Sequence, residues 1–151
     1  IRILILGAGG AARGIISPLL DQNPACLTLA NRSVTRFPEI KQAFTTIDCV
    51  SLDKLQGQFD LVINATSAGF TNELLILPEE LHLQRPFCYD LSYKQNQTTQ
   101  FVADARASGC QAVDGLGMLV EQAAEAFFIW HGIMPETQAV LEQLRLKQKN
   151  P

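Results

Sequence analysis

Residues 3–14 read Ile3-Leu4-Ile5-Leu6-Gly7-Ala8-Gly9-Gly10-Ala11-Ala12-Arg13-Gly14, four aliphatic residues followed by a glycine-rich turn. The aliphatic run is typical of a strand buried in a parallel sheet. Gly7 permits a tight turn, Gly9 lets the main chain approach a ligand, and Ala12 allows close packing of a helix on the strand. The stretch predicts the first strand, turn and helix of a dinucleotide-binding fold, with a ligand-free turn as the alternative.

The helix that begins near Gly10 suits a pyrophosphate, because the free N–H groups of its first turn and the positive end of its dipole point at the turn. Pro18 falls two turns into this helix. We expect a kink there rather than the end of the helix.

The second strand is predicted at residues 25–30. The segment that follows this strand indicates which dinucleotide is bound. NAD sites place a carboxylate at this point, where it binds the ribose hydroxyls. Here the chain reads Asn31-Arg32-Ser33, followed by Arg36. Two guanidinium groups with an amide and a hydroxyl between them form a donor set for a phosphate dianion. The pattern predicts NADP, with two solvated surface arginines as the alternative.

Composition narrows the class of protein. The 151 residues are 47% hydrophobic and 18% charged with a net charge of −3, which fits one globular domain. The basic residues do not cluster, so we expect neither nucleic acid nor an anionic membrane as a partner. No apolar stretch approaches the span of a bilayer, and we expect a cytoplasmic protein. Because Ile1 leads straight into a strand without an initiator Met, we expect a segment of a longer chain.

Strand and helix patterns alternate along most of the chain. Further strands are predicted at 46–50, 59–64, 87–91 and 111–113, and helices at 37–44, near Pro78 and at 98–108. Two consecutive helices, 116–130 and 135–149, close the sequence. The order predicts an α/β, doubly wound (Rossmann-like), mostly parallel six-stranded sheet with two C-terminal helices.

Apolar residues on the two closing helices predict which sides are buried. The first helix has one apolar stripe, formed by Leu119, Ala123, Ala126, Phe127 and Trp130. On the second we expect inward-facing residues at Val140, Leu141, Leu144 and Leu146. The four cysteines lie in or beside apolar runs without metal-ligand spacing, so we expect reduced core residues.

Ligands of a parallel sheet bind beyond the carboxyl ends of its strands, so the residues after each strand are candidates for the reaction site. Thr66 lies in a small, polar segment, Leu91 offers an apolar surface for a nicotinamide ring, and Tyr93 a phenol. Gly115 allows close main-chain approach, and Gln122 lies two turns into the following helix. A polar turn and a half-buried tyrosine are the alternatives, and Asp114 suits a helix cap.

Hydride transfer to a carbonyl also requires a proton donor. His82, His131 and Lys94 are not placed convincingly for that role. The residues thus predict a cofactor site with an incomplete reaction site and no metal.

Five segments taken together resemble the NADP-binding domain of shikimate dehydrogenases, and in order they span nearly the whole chain. They are residues 7–14, Asn31-Arg32-Ser33-Val34-Thr35-Arg36, Asn64-Ala65-Thr66-Ser67, Tyr89-Asp90-Leu91-Ser92-Tyr93 and the segment 114–123, DGLGMLVEQA.

The resemblance implies a role for each segment. The pyrophosphate would be held by Gly7, Ala8, Gly9, Gly10 and Ala11, the 2′-phosphate by Asn31, Arg32, Ser33 and Arg36, and the nicotinamide side by Thr66, Leu91 and Gly115. Tyr93 and Gln122 would contact substrate. The family reduces 3-dehydroshikimate to shikimate with NADPH on the way to the aromatic amino acids. Its catalytic Lys and Asp belong to an N-terminal domain, so residues 1–151 would be the NADP-binding domain without catalytic residues.

Two departures from the family pattern stand out. Ser33 replaces the usual Thr and keeps the hydroxyl. Pro38 lacks an N–H, so the helix is expected to start near it and to leave Arg36 on a looser loop.

Two other functions stay open, a quinate-type dehydrogenase and a non-catalytic NADP-binding sensor. The closing helices are expected to expose apolar surface where a missing domain packs, which would let the segment self-associate.

Overall fold

The computed structural model describes residues 1–66, 81, 84–95 and 97–149. In these residues six strands form one sheet in the order β3-β2-β1-β4-β5-β6, and every pairing is parallel. The strands are β1 Arg2–Leu6, β2 Cys26–Asn31, β3 Asp48–Ser51, β4 Leu61–Asn64, β5 Phe87–Asp90 and β6 Ala112–Val113. The doubly wound, Rossmann-like sheet predicted from the sequence is confirmed.

Five α-helices accompany the sheet in the same described residues. They are α1 Gly10–Leu20, α2 Phe37–Ala43, α3 Gln100–Ala107, α4 Leu116–His131 and α5 Gln138–Lys149, with a short 3₁₀ helix at Leu52–Lys54. Pro18 lies inside α1, so the expectation that it does not end the helix is confirmed. The helix predicted near Pro78 falls outside the described residues.

The sheet is buried on both faces, as a parallel sheet requires. Alternate residues of β1 divide between two core clusters, Leu4 and Leu6 on one face and Ile3 and Ile5 on the other. All four are at most 1% exposed. This burial on both sides is the reason that residues 3–6 of β1 are all aliphatic rather than alternating with polar residues.

Helix α2 begins at Phe37, with Pro38 as its second residue. N–H groups in the first turn of a helix have no partner within the helix. The lack of an N–H at Pro38 therefore removes no hydrogen bond, and the proline is tolerated there. Arg36 is the N-cap residue. The expected helix start near Pro38 is confirmed, and Arg36 precedes the helix, where its side chain bonds the main-chain oxygen of Ala8.

The predicted buried faces of the two closing helices are wrong in part. Helix α4 buries Leu116, Val120 and Ala124, whereas Leu119, Phe127 and Trp130 are 37%, 42% and 76% exposed. Helix α4 is apolar on several sides, so the pattern alone cannot tell which stripe is buried. On α5, Val140 and Leu146 are exposed rather than inward-facing.

The C-terminal part of the chain thus presents a broad apolar surface. We define the apolar surface as the exposed residues Phe127, Phe128, Ile129, Trp130, Ile133 and Met134. The expectation that the closing helices expose apolar residues is confirmed. None of the described helices is both long and apolar enough to cross a membrane.

The cysteines follow the prediction of reduced core residues for two of the four. Cys88 and Cys110 are buried in one core cluster, and Cys26 and Cys49 are half-buried. None of the four, all of which are described, forms a disulfide.

Candidate functional site

The candidate residues gather at the carboxyl edge of the sheet. Because all six strands are parallel, their ends bring together segments far apart in sequence. Leu6 pairs with Ala30 on one side and with Asn64 on the other, and Asn64 pairs with Asp90. The glycine turn after β1 therefore lies between the segments that follow β2 and β4.

The glycine turn has the geometry that the sequence predicted. Gly7 has a φ of +106° and donates its N–H to the main-chain oxygen of Ala30 at 2.7 Å. A Cβ on Gly7 would lie 2.9 Å from the oxygen of Ala65, which no side chain tolerates. Around a Cβ built on Gly9 there is no atom within 4 Å, so this point is open to a ligand.

The start of helix α1 can accept an anion. Gly9 is its N-cap residue and supplies no side chain to bind the first N–H groups, and the first turn contains no acidic residue. These amides and the helix dipole are suited to a phosphate group. The residues present thus fit the pyrophosphate of a dinucleotide.

The segment after β2 forms a compact polar turn. Asn31 donates from Nδ2 to the main-chain oxygen of Ser33 at 2.8 Å, and the hydroxyls of Ser33 and Thr35 are 2.9 Å apart. Arg32 and Ser33 are exposed. No carboxylate stands in residues 31–36, so a 2′-phosphate would meet donors rather than a negative charge.

Two side-chain contacts tie this segment to the glycine turn. Arg36 donates from Nη1 to the main-chain oxygen of Ala8 at 3.2 Å. Arg13 of α1 forms an ion pair with Glu39 of α2, with 2.6 Å between Nη1 and Oε1. The structure thereby brings together two predicted groups of residues, the pyrophosphate turn and the arginine-bearing segment.

The ends of β4 and β5 carry a buried polar cluster. Asn64 and Asp90 are 1% and 0% exposed, and Asn64 donates from Nδ2 to Asp90 Oδ1 at 3.0 Å. Asn64 Oδ1 accepts from the N–H and the hydroxyl of Thr66 at 3.1 and 2.7 Å. Asp90 Oδ1 accepts from the N–H of Ser92 at 3.0 Å. Burial raises the pKa of the Asp90 carboxyl, and its polar neighbours, Thr99 foremost, offset this only in part.

Asn64 and Asp90 are not among the site residues predicted from the sequence. The signal that could have singled them out is the position of each, a polar residue that ends an otherwise apolar buried strand. Such a residue needs a buried partner. Here each is the partner of the other.

Gly115 closes the cluster from the β6 side. Its N–H donates to the main-chain oxygen of Ser92 at 3.0 Å, and a Cβ built on it would collide with the main-chain oxygen of Leu91. Asp114 accepts from the N–H of Leu116 through Oδ1 at 3.3 Å, but the N-cap residue of α4 is Gly115, so Asp114, the predicted cap, lies one residue before the cap position. Thr66, Leu91 and Gly115, all predicted for the nicotinamide side, thus converge on one cluster.

The two predicted substrate contacts, Tyr93 and Gln122, are not part of this hydrogen-bonded cluster. Tyr93 is 37% exposed and follows Leu91 by two residues, so it lies at the same edge of the sheet. Gln122 is exposed and lies six residues into α4, about 9 Å along the helix from Leu116.

The sequence offered three potential proton donors, Lys94, His131 and His82, and the structure describes the first two. Lys94 is half-buried, and the ring of His131 packs on Phe127 with 4.4 Å between centroids. His82 lies outside the described residues.

Comparisons with known proteins extend over almost the entire chain. Residues 1–92 match the family model described as shikimate / quinate 5-dehydrogenase, and residues 115–145 match the shikimate 5′-dehydrogenase C-terminal domain. A shikimate dehydrogenase (NADP(+)) of Legionella pneumophila (strain Lens) is 58% identical over 144 residues, which are 95% of this chain and 54% of that protein. The chain thus spans about half the length of the curated relatives it matches.

Solved structures agree with the sequence comparisons. An Ael1 enzyme from Pseudomonas putida is 40% identical with a TM-score of 0.86, over 95% of this chain and 54% of that one. A shikimate 5-dehydrogenase from Thermus thermophilus, solved in complex with NADP(H) and shikimate, is 30% identical with a TM-score of 0.77, over 96% of this chain and 54% of that one.

Proposed function

Because this chain belongs to the shikimate/quinate dehydrogenase family, we propose that residues 1–151 are the NADP-binding domain of an enzyme that reduces 3-dehydroshikimate to shikimate with NADPH. The observation that carries the proposal is the contact of Arg36 with the oxygen of Ala8, which joins the pyrophosphate turn to a loop rich in donors and free of carboxylates. The shikimate dehydrogenase (NADP(+)) of Legionella pneumophila supports the same cofactor and substrate.

Each part of the site has a role in this proposal. The turn formed by Gly7, Ala8, Gly9, Gly10 and Ala11 holds the pyrophosphate, and Asn31, Arg32, Ser33 and Arg36 bind the 2′-phosphate. Thr66, Leu91 and Gly115 form the wall against the nicotinamide, and Tyr93 and Gln122 contact the substrate. When bound, the cofactor supplies the hydride. The chain's own residues orient it, and the apolar face of Leu91 excludes water from one side of the ring.

The reaction also needs a proton donor, and we place it outside this chain. Relatives that the chain covers to 54% have about as many further residues. In the proposal those residues contribute the catalytic groups and most of the substrate pocket. The protein works in the cytoplasm, with NADP(H) and shikimate as partners and neither nucleic acid nor a membrane.

The test is to titrate the chain with NADPH and with NADH while following cofactor fluorescence. We expect NADPH to bind more tightly by about tenfold or more, because only NADPH presents a dianion to Arg32. Equal affinities would contradict the NADP assignment. The whole protein is then assayed for oxidation of shikimate and of quinate with NADP⁺.

Quinate is the second candidate substrate, since the matching family model covers shikimate and quinate dehydrogenases alike. A larger kcat/KM for quinate than for shikimate would decide for it. A protein that binds NADPH but turns over neither compound would favour a non-catalytic binding module.

A further inference from the structure

The cluster formed by Asn64, Asp90, Thr66 and Ser92 has an unsatisfied member. Asp90 Oδ2 is buried, and among the described residues it has no hydrogen bond of good geometry, although the Thr99 side chain lies close enough to favour the charged carboxyl. A buried oxygen without a partner costs stability, and apolar residues at the same place would avoid that cost. Its presence at the carboxyl edge of the sheet therefore calls for a functional reason.

The position of Asp90 supplies that reason. Through Asn64 it acts on Thr66, whose N–H and hydroxyl both bind Asn64 Oδ1. Through Oδ1 it fixes the N–H of Ser92, and Ser92 in turn accepts from Gly115. The segments that follow β4, β5 and β6 thus share one buried anchor.

We propose that Asp90 is a positioning residue, which acts through Asn64 and Ser92 to hold Thr66, Leu91 and Gly115 in register as one wall against the nicotinamide. The role rests on the proposed function. With 0% exposure the carboxyl does not reach substrate, so it is not the proton donor of the reaction. Its effect on rate comes from the geometry of the wall, because small displacements of a reacting ring change rate strongly.

The role also predicts which step depends on Asp90. The phosphates bind at the glycine turn and the arginine-bearing segment, and the side-chain hydrogen bonds of Asn31 and Arg36 there join Ser33 and Ala8 rather than Asn64 or Asp90. Loss of the anchor should therefore change turnover and leave cofactor affinity almost unchanged. A residue needed only for stability would change neither in the fraction that remains folded.

The experiment compares Asp90→Ala with Asp90→Asn in the whole protein. Asp90→Ala removes the acceptor for Asn64 and Ser92, and we expect kcat to fall about tenfold or more while the NADPH dissociation constant changes less than about threefold. Asp90→Asn keeps one acceptor oxygen at the same place, and we expect kcat within about threefold of the parent. The matched control is Val102→Ala, a buried core change in α3 that should lower thermal stability without lowering kcat.

A second variant covers the case in which Asp90→Ala does not fold. Asn64→Ser removes the donor to Asp90 and should lower kcat with NADPH affinity retained. The double variant Asp90→Ala/Asn64→Ser should be no slower than the slower single variant, because the two side chains act as a unit.

Three results would overturn the role of Asp90. The first is an unchanged kcat in Asp90→Ala, or in Asn64→Ser if Asp90→Ala does not fold. The second is a kcat of Asp90→Asn as low as that of Asp90→Ala, and the third is a double variant in which the two losses of kcat add. A parent protein that lacked NADPH-dependent turnover would instead contradict the proposed function, and the role would fall with it.

Discussion

Arg36 donates from Nη1 to the main-chain oxygen of Ala8, 28 residues earlier in the chain, at 3.2 Å. One guanidinium therefore stands at the boundary between the turn proposed for the pyrophosphate and the segment proposed for the 2′-phosphate. Arg32 and Arg36 are both exposed, and Arg36 in addition has this contact with the glycine turn. Loss of Arg36 and loss of Arg32 are therefore expected to change the affinities for NADPH and NADH differently.

Arg32→Ala should weaken NADPH binding by about 1.5–3 kcal/mol and leave NADH binding nearly unchanged, because it removes a charge-assisted bond to the 2′-phosphate alone. Arg36→Ala should weaken both cofactors, NADPH more than NADH, because it also releases the glycine turn. Fluorescence titration of each variant with both cofactors checks the pair. Equal losses of NADH affinity in the two variants would contradict this division of roles.

Three glycine substitutions should have three different results. Gly7→Ala should destabilise the fold by more than about 2 kcal/mol, because of its positive φ and the oxygen of Ala65. Gly9→Ala should fold normally but bind both cofactors more weakly, because its Cβ enters the ligand space. The control, Gly14→Ala, lies in open space within α1 and should stabilise by about 0.5–1 kcal/mol. Urea unfolding and cofactor titration measure them, and a stable Gly7→Ala would refute the turn geometry.

Acid should remove the stabilising effect of an ion pair at the opposite edge of the sheet. Hydrogen bonds from Arg2 hold the pKa of the Asp60 carboxyl well below its usual range. Because the pKa is lower in the folded chain, the contribution is present above about pH 4 and is lost as the pH falls toward the folded-state pKa. Asp60→Asn should therefore be less stable than the parent near pH 7, by a margin that shrinks near pH 2. Thermal midpoints across this range check it, and a constant margin would contradict the assignment.

The cysteines should differ in reactivity. Burial, followed by the neighbouring Cys110, raises the pKa of Cys88 to about 12, so its thiol stays protonated and unreactive at about pH 8. Cys26 is half-buried and should react first with iodoacetamide, ahead of Cys49, whose pKa is raised by burial. Mass spectrometry of the labelled peptides gives the order, with urea-unfolded protein as the control. Labelling of Cys88 as fast as that of Cys26 in the folded chain would refute the burial.

Trp130, the single tryptophan, reports on the apolar surface. Because its side chain is 76% exposed, acrylamide should quench its fluorescence strongly in the isolated chain. In the whole protein the further residues should cover this surface, so quenching should fall. Quenching that decreases as the isolated chain is concentrated would indicate self-association, which sedimentation can confirm. Equal quenching in the whole protein and in the dilute chain would contradict the covered interface.

The sequence by itself determined the features that depend on neighbouring residues only, which are the first strand, the glycine turn and the donor set after β2. The aliphatic run 3–6 is typical of a strand buried on both faces, and Gly7 after it sets the turn because a Cβ there would meet the main chain of Ala65. The donor set of residues 31–36 was likewise legible, since it depends on which side chains are present rather than on where they meet.

Tertiary structure alone decided what depends on register between strands. Asn64 and Asp90 are 26 residues apart, and only the parallel pairing of β4 with β5 brings them to one hydrogen bond of 3.0 Å. The fit of Gly115 against Leu91 and the reach of Arg36 to Ala8 arise in the same way. On α4 several apolar stripes compete, and only the folded chain shows that Leu116, Val120 and Ala124 are the buried ones. Side-chain type and spacing follow from the chain, whereas contacts between distant segments follow from how the strands are ordered.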